Sequence, residues 1–157
     1  MNFDRLIVDG YSLMHRAGPP PRRDEGPRFS LARDALVRRL ERLAGRLASR
    51  VTLVFDGRGE RVAAGDLPSG PVEVLFSPGV LTADSVIERL VAAAADPARI
   101  TVVTSDRRER ETVEAAGAHT LSCGDFLTLC EAAERDLARA RVGPAAKRAT
   151  LGDFFPA

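Results

Sequence analysis

Short runs dominated by apolar residues recur along this chain without the in–out alternation of a half-exposed strand. They are Leu6-Ile7-Val8, Val51 to Phe55, Val72 to Phe76 and Ile100 to Val103. A strand that is apolar at successive positions must be covered on both faces. The segments between them carry the helical period instead. Leu36, Leu40, Leu43 and Leu47 form one such face, and Val86, Ile87, Leu90 and Val91 another. Apolar strands separated by amphipathic helices specify an α/β fold: a three-layer sandwich around a mainly parallel sheet of about five strands, Ala118 to Leu121 being the fifth. At 157 residues the chain suits one domain, over 1–143, with a C-terminal tail over 144–157.

Local signals set the expected boundaries. Residues 16–28 hold four prolines and four arginines and read as a loop, with Ser30 as N-cap of the helix that follows. Residues 57–71, rich in Gly and Pro, read as a second loop. Thr82 and Ser122 are expected to cap helices, the last of which should end near Gly143-Pro144. No apolar run approaches the ~18 residues needed to cross a bilayer. The acid in Met1-Asn2-Phe3-Asp4-Arg5 is unlike a signal peptide, so a cytoplasmic protein is expected. Cys123 and Cys130 are too few for a disulfide framework and are expected to be reduced and buried. With only two histidines, a Cys/His zinc site is not expected.

The chemistry concentrates where the strands end. Asp9, Asp56 and Asp106 each follow a strand, and Asp84 sits in the first turn of the helix after the third. In an open parallel sheet the carboxyl ends of the strands form the ligand-binding edge. Singly, each acid has a plain explanation: Asp9-Gly10 and Asp56-Gly57 suit turns, Asp84 suits a helix dipole, and Asp106 with Glu109 suits a capping pair. Together they deliver several like charges to one edge, and these repel unless a hard cation such as Mg²⁺ neutralises them. Glu88, one turn after Asp84, is a further candidate.

Val8-Asp9-Gly10-Tyr11-Ser12, Phe55-Asp56-Gly57, Thr82-Ala83-Asp84-Ser85-Val86-Ile87-Glu88 and Val103-Thr104-Ser105-Asp106, in that order, resemble the NYN domain family, specifically its YacP-like branch of PIN-fold ribonucleases. The resemblance covers about residues 4–142. It implies a metal-dependent endoribonuclease in which Asp9, Asp84 and Asp106 are catalytic and bind Mg²⁺ or Mn²⁺. Asp56, Ser12, Ser105 and Glu88 would support them. It further implies action on mRNA or structured RNA, at the ribosome. The chain departs from the usual D-G-Y-N pattern by placing Ser12 where asparagine stands. Serine hydrogen-bonds with a different reach, so a second reading stays open: an RNA- or ribosome-binding module of the same fold without catalysis.

Metal-assisted hydrolysis of a phosphodiester needs no histidine, and His15 is assigned no catalytic role. The net charge of +1 excludes a bulk polycation, so an RNA site must be a local patch. Arg16, Arg22 and Arg23 in the first loop, Arg58 in the second, and Arg107 and Arg108 beside Asp106 are the expected phosphate contacts. Arg28 and Arg61 share those loops, and Arg39, Arg42, Arg46 and Arg50 are expected to form a basic stripe on one helix. An aromatic content of 5%, without tryptophan, argues against a base-stacking sheet surface.

Overall fold

A computed structural model of the chain describes residues 2–18, 26–57 and 71–148, with side chains through residue 141. Five strands form one sheet: β1 (Phe3–Asp9), β2 (Ala48–Phe55), β3 (Val72–Phe76), β4 (Ile100–Val103) and β5 (His119–Leu121). Every pairing is parallel and the order is β3-β2-β1-β4-β5. The helices are α1 (Gly10–Ala17), α2 (Pro27–Leu47), α3 (Ala83–Ala93), α4 (Arg107–Ala115) and α5 (Cys123–Arg148).

Successive residues of the central strands feed opposite cores, which is why those strands are apolar throughout. Leu6 and Val8 of β1, with Val51, Leu53 and Phe55 of β2, pack against Leu13, Leu40, Leu43 and Phe126 from α1, α2 and α5. Ile7, Val54, Ile100 and Val102 face Ile87 and Val91 of α3 and Val113 of α4. The result is the expected three-layer α/β sandwich. No helix among the described residues is long and apolar enough to cross a membrane.

Strand order reverses beside β1: the chain builds outward through β2 and β3, then returns to add β4 and β5 on the other side. That reversal opens a crevice at the carboxyl edge between β1 and β4, the usual ligand position in such sheets.

Several local expectations are revised. Residues 10–17 form α1 rather than a turn leading into a loop. Asp9, the last residue of β1, is also the N-cap of α1, so strand passes directly into helix. The space for this comes from Gly10: a Cβ there would lie 2.5 Å from the Phe55 ring. Helix α2 starts at Pro27, not at Ser30, because proline's fixed φ and missing N–H suit the first helical position. Ser30 instead donates its backbone N–H to the Gly26 carbonyl. Helix α5 continues through Gly143-Pro144 to Arg148. Thr82 caps α3 as expected, accepting from the Ser85 N–H at 3.2 Å, and the Ser122 hydroxyl accepts from the Asp125 N–H at 3.1 Å. Most of both expected loops, and the tail from residue 149, lie outside the described residues.

Candidate metal centre at the carboxyl edge of the sheet

Asp9, Asp84 and Glu109 offer carboxylate oxygens that lie within 4.8 Å of one another. Each arrives on a different element: Asp9 at the end of β1, Asp84 in the first turn of α3, Glu109 in the first turn of α4. Above them is a cavity of about 360 Å³ lined by Asp9, Tyr11, Ser12, Asp56, Thr82, Asp84 and Asp106. The four aspartates singled out in the sequence therefore do surround one cavity.

Burial raises the pKa of two of the three acids, Glu109 and Asp9. Glu109 is only 2% exposed, and neither of its carboxyl oxygens finds a further hydrogen-bond partner among the described residues. Burial pushes its pKa up to about 10, helped by contact with the Asp84 carboxyl and by the charges of Asp9, Asp84 and Asp106. Asp9 is also buried and shifted upward, first by desolvation and further by the Asp84 charge. Ser12 opposes that shift. Its backbone N–H reaches Asp9 Oδ1 at 3.2 Å and its hydroxyl donates to Asp9 Oδ2 at 2.9 Å. The residue that departs from the family pattern is thus committed to orienting the central acid.

Asp106 lines the cavity but is not one of the three clustered acids. Its carboxylate caps α4, accepting from the Arg108 N–H at 2.9 Å and the Glu109 N–H at 3.4 Å. Asp56 stands across the cavity beside Ser77, whose hydroxyl accepts from the Gly57 N–H at 2.9 Å and lies 3.4 Å from Asp56 Oδ1. Ser77 is buried, and a Cβ at Gly57 would lie 2.4 Å from the Ser77 carbonyl oxygen, so this corner is closely built. Glu88 is half-buried on α3 and belongs neither to the cluster nor to the cavity lining.

A second cavity, of about 440 Å³, adjoins the first and shares Tyr11, Ser12 and Asp106 with it. His15, Arg16 and Ser105 complete its lining. Beneath it the Cys123 thiol is buried and pushed up, chiefly by desolvation, while a hydrogen bond with Ser105 and the nearby Arg16 pull the other way. Cys130 is also buried, its thiol pushed up to about 11 by desolvation.

The expected arginine stripe is not one surface. Arg50 lies in β2, where it pairs in register with Arg5, far from the end at which Asp9 meets Val54. It contacts Glu73 of β3 at 3.3 Å. Arg39 makes a two-pronged bond to Glu134 of α5, at 2.8 and 2.9 Å, and so ties two helices together. Because α2 returns the chain to the start of β2, its last turn, with Arg46, lies at the amino edge of the sheet, away from the acids. Arg16, Arg107 and Arg108 are exposed at the acidic edge, and Arg28 is in the first turn of α2. Arg22, Arg23, Arg58 and Arg61 lie outside the described residues.

Sequence reasoning missed two contributors. Ser77 carries no motif. Glu109 was assigned to a capping pair, yet the partner that role needs is taken: the Asp106 N–H is bonded to Thr104 Oγ1 at 3.1 Å. The available signal was its spacing, four residues before Val113, the apolar position that α4 buries.

The comparisons with known proteins agree with this architecture. The chain is 32% identical over 138 residues to the uncharacterized protein YacP of Bacillus subtilis (strain 168), covering 87% of this chain and 81% of that one. The crystal structure of Rae1 (YacP) from Bacillus subtilis superposes with a TM-score of 0.71 at 28% identity, covering 96% of this chain and 89% of that chain. Its W164L mutant gives 0.67 at 33%, covering 87% and 79%. The profile of the YacP-like NYN domain matches residues 6–152, and the chain belongs to that family.

Proposed function

We propose that this protein is a metal-dependent endoribonuclease that hydrolyses RNA phosphodiester bonds. The observation that carries the reading is the buried Asp9–Asp84–Glu109 cluster beneath a cavity walled by Asp56 and Asp106. Three carboxyl groups this close, one of them buried with unsatisfied oxygens, fit a hard divalent cation. A bound Mg²⁺ or Mn²⁺ would supply Lewis acidity toward the phosphoryl oxygens and acidify a water. Asp9, Asp84 and Glu109 would hold it, with Asp106 as a ligand from the rim. Asp56 and Asp106 flank the place where the attacking water and the leaving ribose oxygen must be accommodated. Ser12 fixes the Asp9 carboxylate, and Ser105 borders the substrate side.

Arg16, Arg107 and Arg108 are the described cations for RNA phosphates; Arg22, Arg23 and Arg58 join them in the proposal on their sequence position. The family resemblance supports mRNA as substrate, presented at the ribosome in the cytoplasm. Ser12 favours a second reading, a catalytically silent RNA- or ribosome-binding module. The clustered acids oppose it, since like charges are costly to a simple binder.

Incubation of end-labelled single-stranded and structured RNAs with the protein, with Mg²⁺, Mn²⁺ or chelator, separates the two. The nuclease reading requires internal cleavage that depends on metal and disappears in Asp9→Asn and Asp84→Asn. Cleavage that persists in excess chelator, or in Asp9→Asn, overturns the mechanism. Binding without cleavage under all conditions leaves the module.

A further inference from the structure

We propose that the cavity framed by Tyr11, His15, Arg16 and Ser105 is a ribonucleoside subsite, holding the base and sugar next to the phosphate presented at the acids. The proposal rests on the ribonuclease reading and specifies the substrate as single-stranded RNA.

The two cavities share Tyr11, Ser12 and Asp106, so a strand with one phosphate over the acids has its neighbouring nucleoside at the second opening. It is a broad opening rather than an enclosed pocket, with a volume of about 440 Å³, room for one base and its sugar. Its aromatic wall is local. Tyr11, the chain's single tyrosine, meets His15 edge to face, with ring centroids 4.5 Å apart and planes at 67°. Both rings line the cavity, and Tyr11 is steadied from behind by Phe29 at 6.0 Å. An unstacked RNA base is commonly received by one such ring or by a guanidinium plane. The low aromatic content argues against a stacking platform spread over a sheet, but a one-base pocket needs no more than this.

Arg16 supplies the charge. It is exposed in the last turn of α1, and its guanidinium crosses the start of α5, where a Cβ on Gly124 would lie 3.1 Å from Nη2. It also lines a further cavity along α5 with Arg39, Gly124, Leu127, Thr128 and Glu131, so the groove continues past it. Arg16 is therefore positioned for the phosphate on the far side of the pocketed nucleoside. Ser105, exposed at the rim beside Asp106, offers a hydroxyl to the sugar. Duplex RNA keeps its bases stacked and cannot deliver one into a recess.

The test needs no turnover. ¹⁵N-labelled full-length protein in chelator is titrated with a single-stranded hexanucleotide RNA and, separately, with a fully paired RNA duplex. The subsite requires amide shifts across Tyr11 to Arg16 and at Ser105 and Asp106 with the single strand, and weaker effects with the duplex. Replacing His15→Ala and Arg16→Ala together, both exposed positions, should weaken hexanucleotide affinity at least fivefold. It should also lower the log–log salt slope by ~0.7, the share of one phosphate contact on a single strand. Arg16→Lys should restore the slope. Shifts confined to another face, or an affinity indifferent to the double substitution, overturn the subsite. A metal-dependent cleavage assay run alongside keeps the claims apart. Cleavage with unchanged KM in the double variant removes the subsite and leaves the nuclease, whereas the expected shifts without cleavage remove the nuclease and leave the subsite.

Discussion

Glu109 dominates the electrostatics of the metal-free protein. Its folded pKa of about 10 stands far above the ordinary glutamate value of 4.5, so its neutral form is the one that folds. Below about pH 4.5 both states are protonated and the group costs nothing. As pH rises above that value the unfolded chain ionises while the folded chain does not, and stability falls until about pH 10. Thermal melts in chelator should therefore show the parent losing stability from pH 5 to pH 9, with Glu109→Gln flatter and more stable at pH 8. A gain of at least ~1.4 kcal/mol is expected, the worth of one pH unit. Added Mn²⁺ should reverse the trend in the parent, because cation binding demands the ionised carboxylates and so strengthens with pH. Ser12 makes the complementary case. Ser12→Ala removes the 2.9 Å donor to Asp9 and should lower metal-dependent cleavage, while Ser12→Asn, which can still donate, should preserve it. If Ser12→Asn instead created activity in an inert parent, the binding-module reading would stand. Among the site's acids, the aspartates were legible because they end strands. Glu109 was not, because a capping motif explained it without reference to the tertiary face it occupies.

Helices deliver these acids, so their ends control the site. Thr82 caps α3 two residues before Asp84, and Thr82→Ala should cost ~1 kcal/mol, with Thr82→Ser close to neutral. Urea denaturation measures this, and cleavage should fall in the same order. Midway along α2, Arg39 joins that helix to α5 through Glu134, with both side chains part-exposed. Arg39→Ala should cost under ~1 kcal/mol and leave the salt dependence of RNA binding unchanged, which a basic-stripe model would not allow. The sequence was informative about these elements where burial was two-sided, as in β1, β2 and β4. It was misleading at α1. Asp9-Gly10 has the composition of a turn, and only the Phe55 ring packed over Gly10 reveals why the chain can begin a helix there with no intervening loop. Gly10→Ala should accordingly cost ~1–3 kcal/mol through overpacking, read from the same denaturation curves.

At the scale of the whole molecule, three elements converge on the acids, and in the proposed nuclease a bound cation would tie them together. Saturating Mn²⁺, at about 100 times its dissociation constant, should stabilise the parent by ~2.7 kcal/mol, and Asp9→Asn by much less. Calorimetry with and without chelator measures the difference, and Asp9→Asn should melt no lower than the metal-free parent. The layering has a temporal consequence as well. Asp9, Asp84 and Glu109 belong to three elements spaced over the first 109 residues, and the core beneath α1 is completed by Phe126 and Cys130 of α5. A chain made only as far as α3 therefore lacks Glu109, the third of these acids. The core that backs α1 closes only once residues as far as Cys130 are present, so the layer behind Asp9 is completed after all three acids have been made.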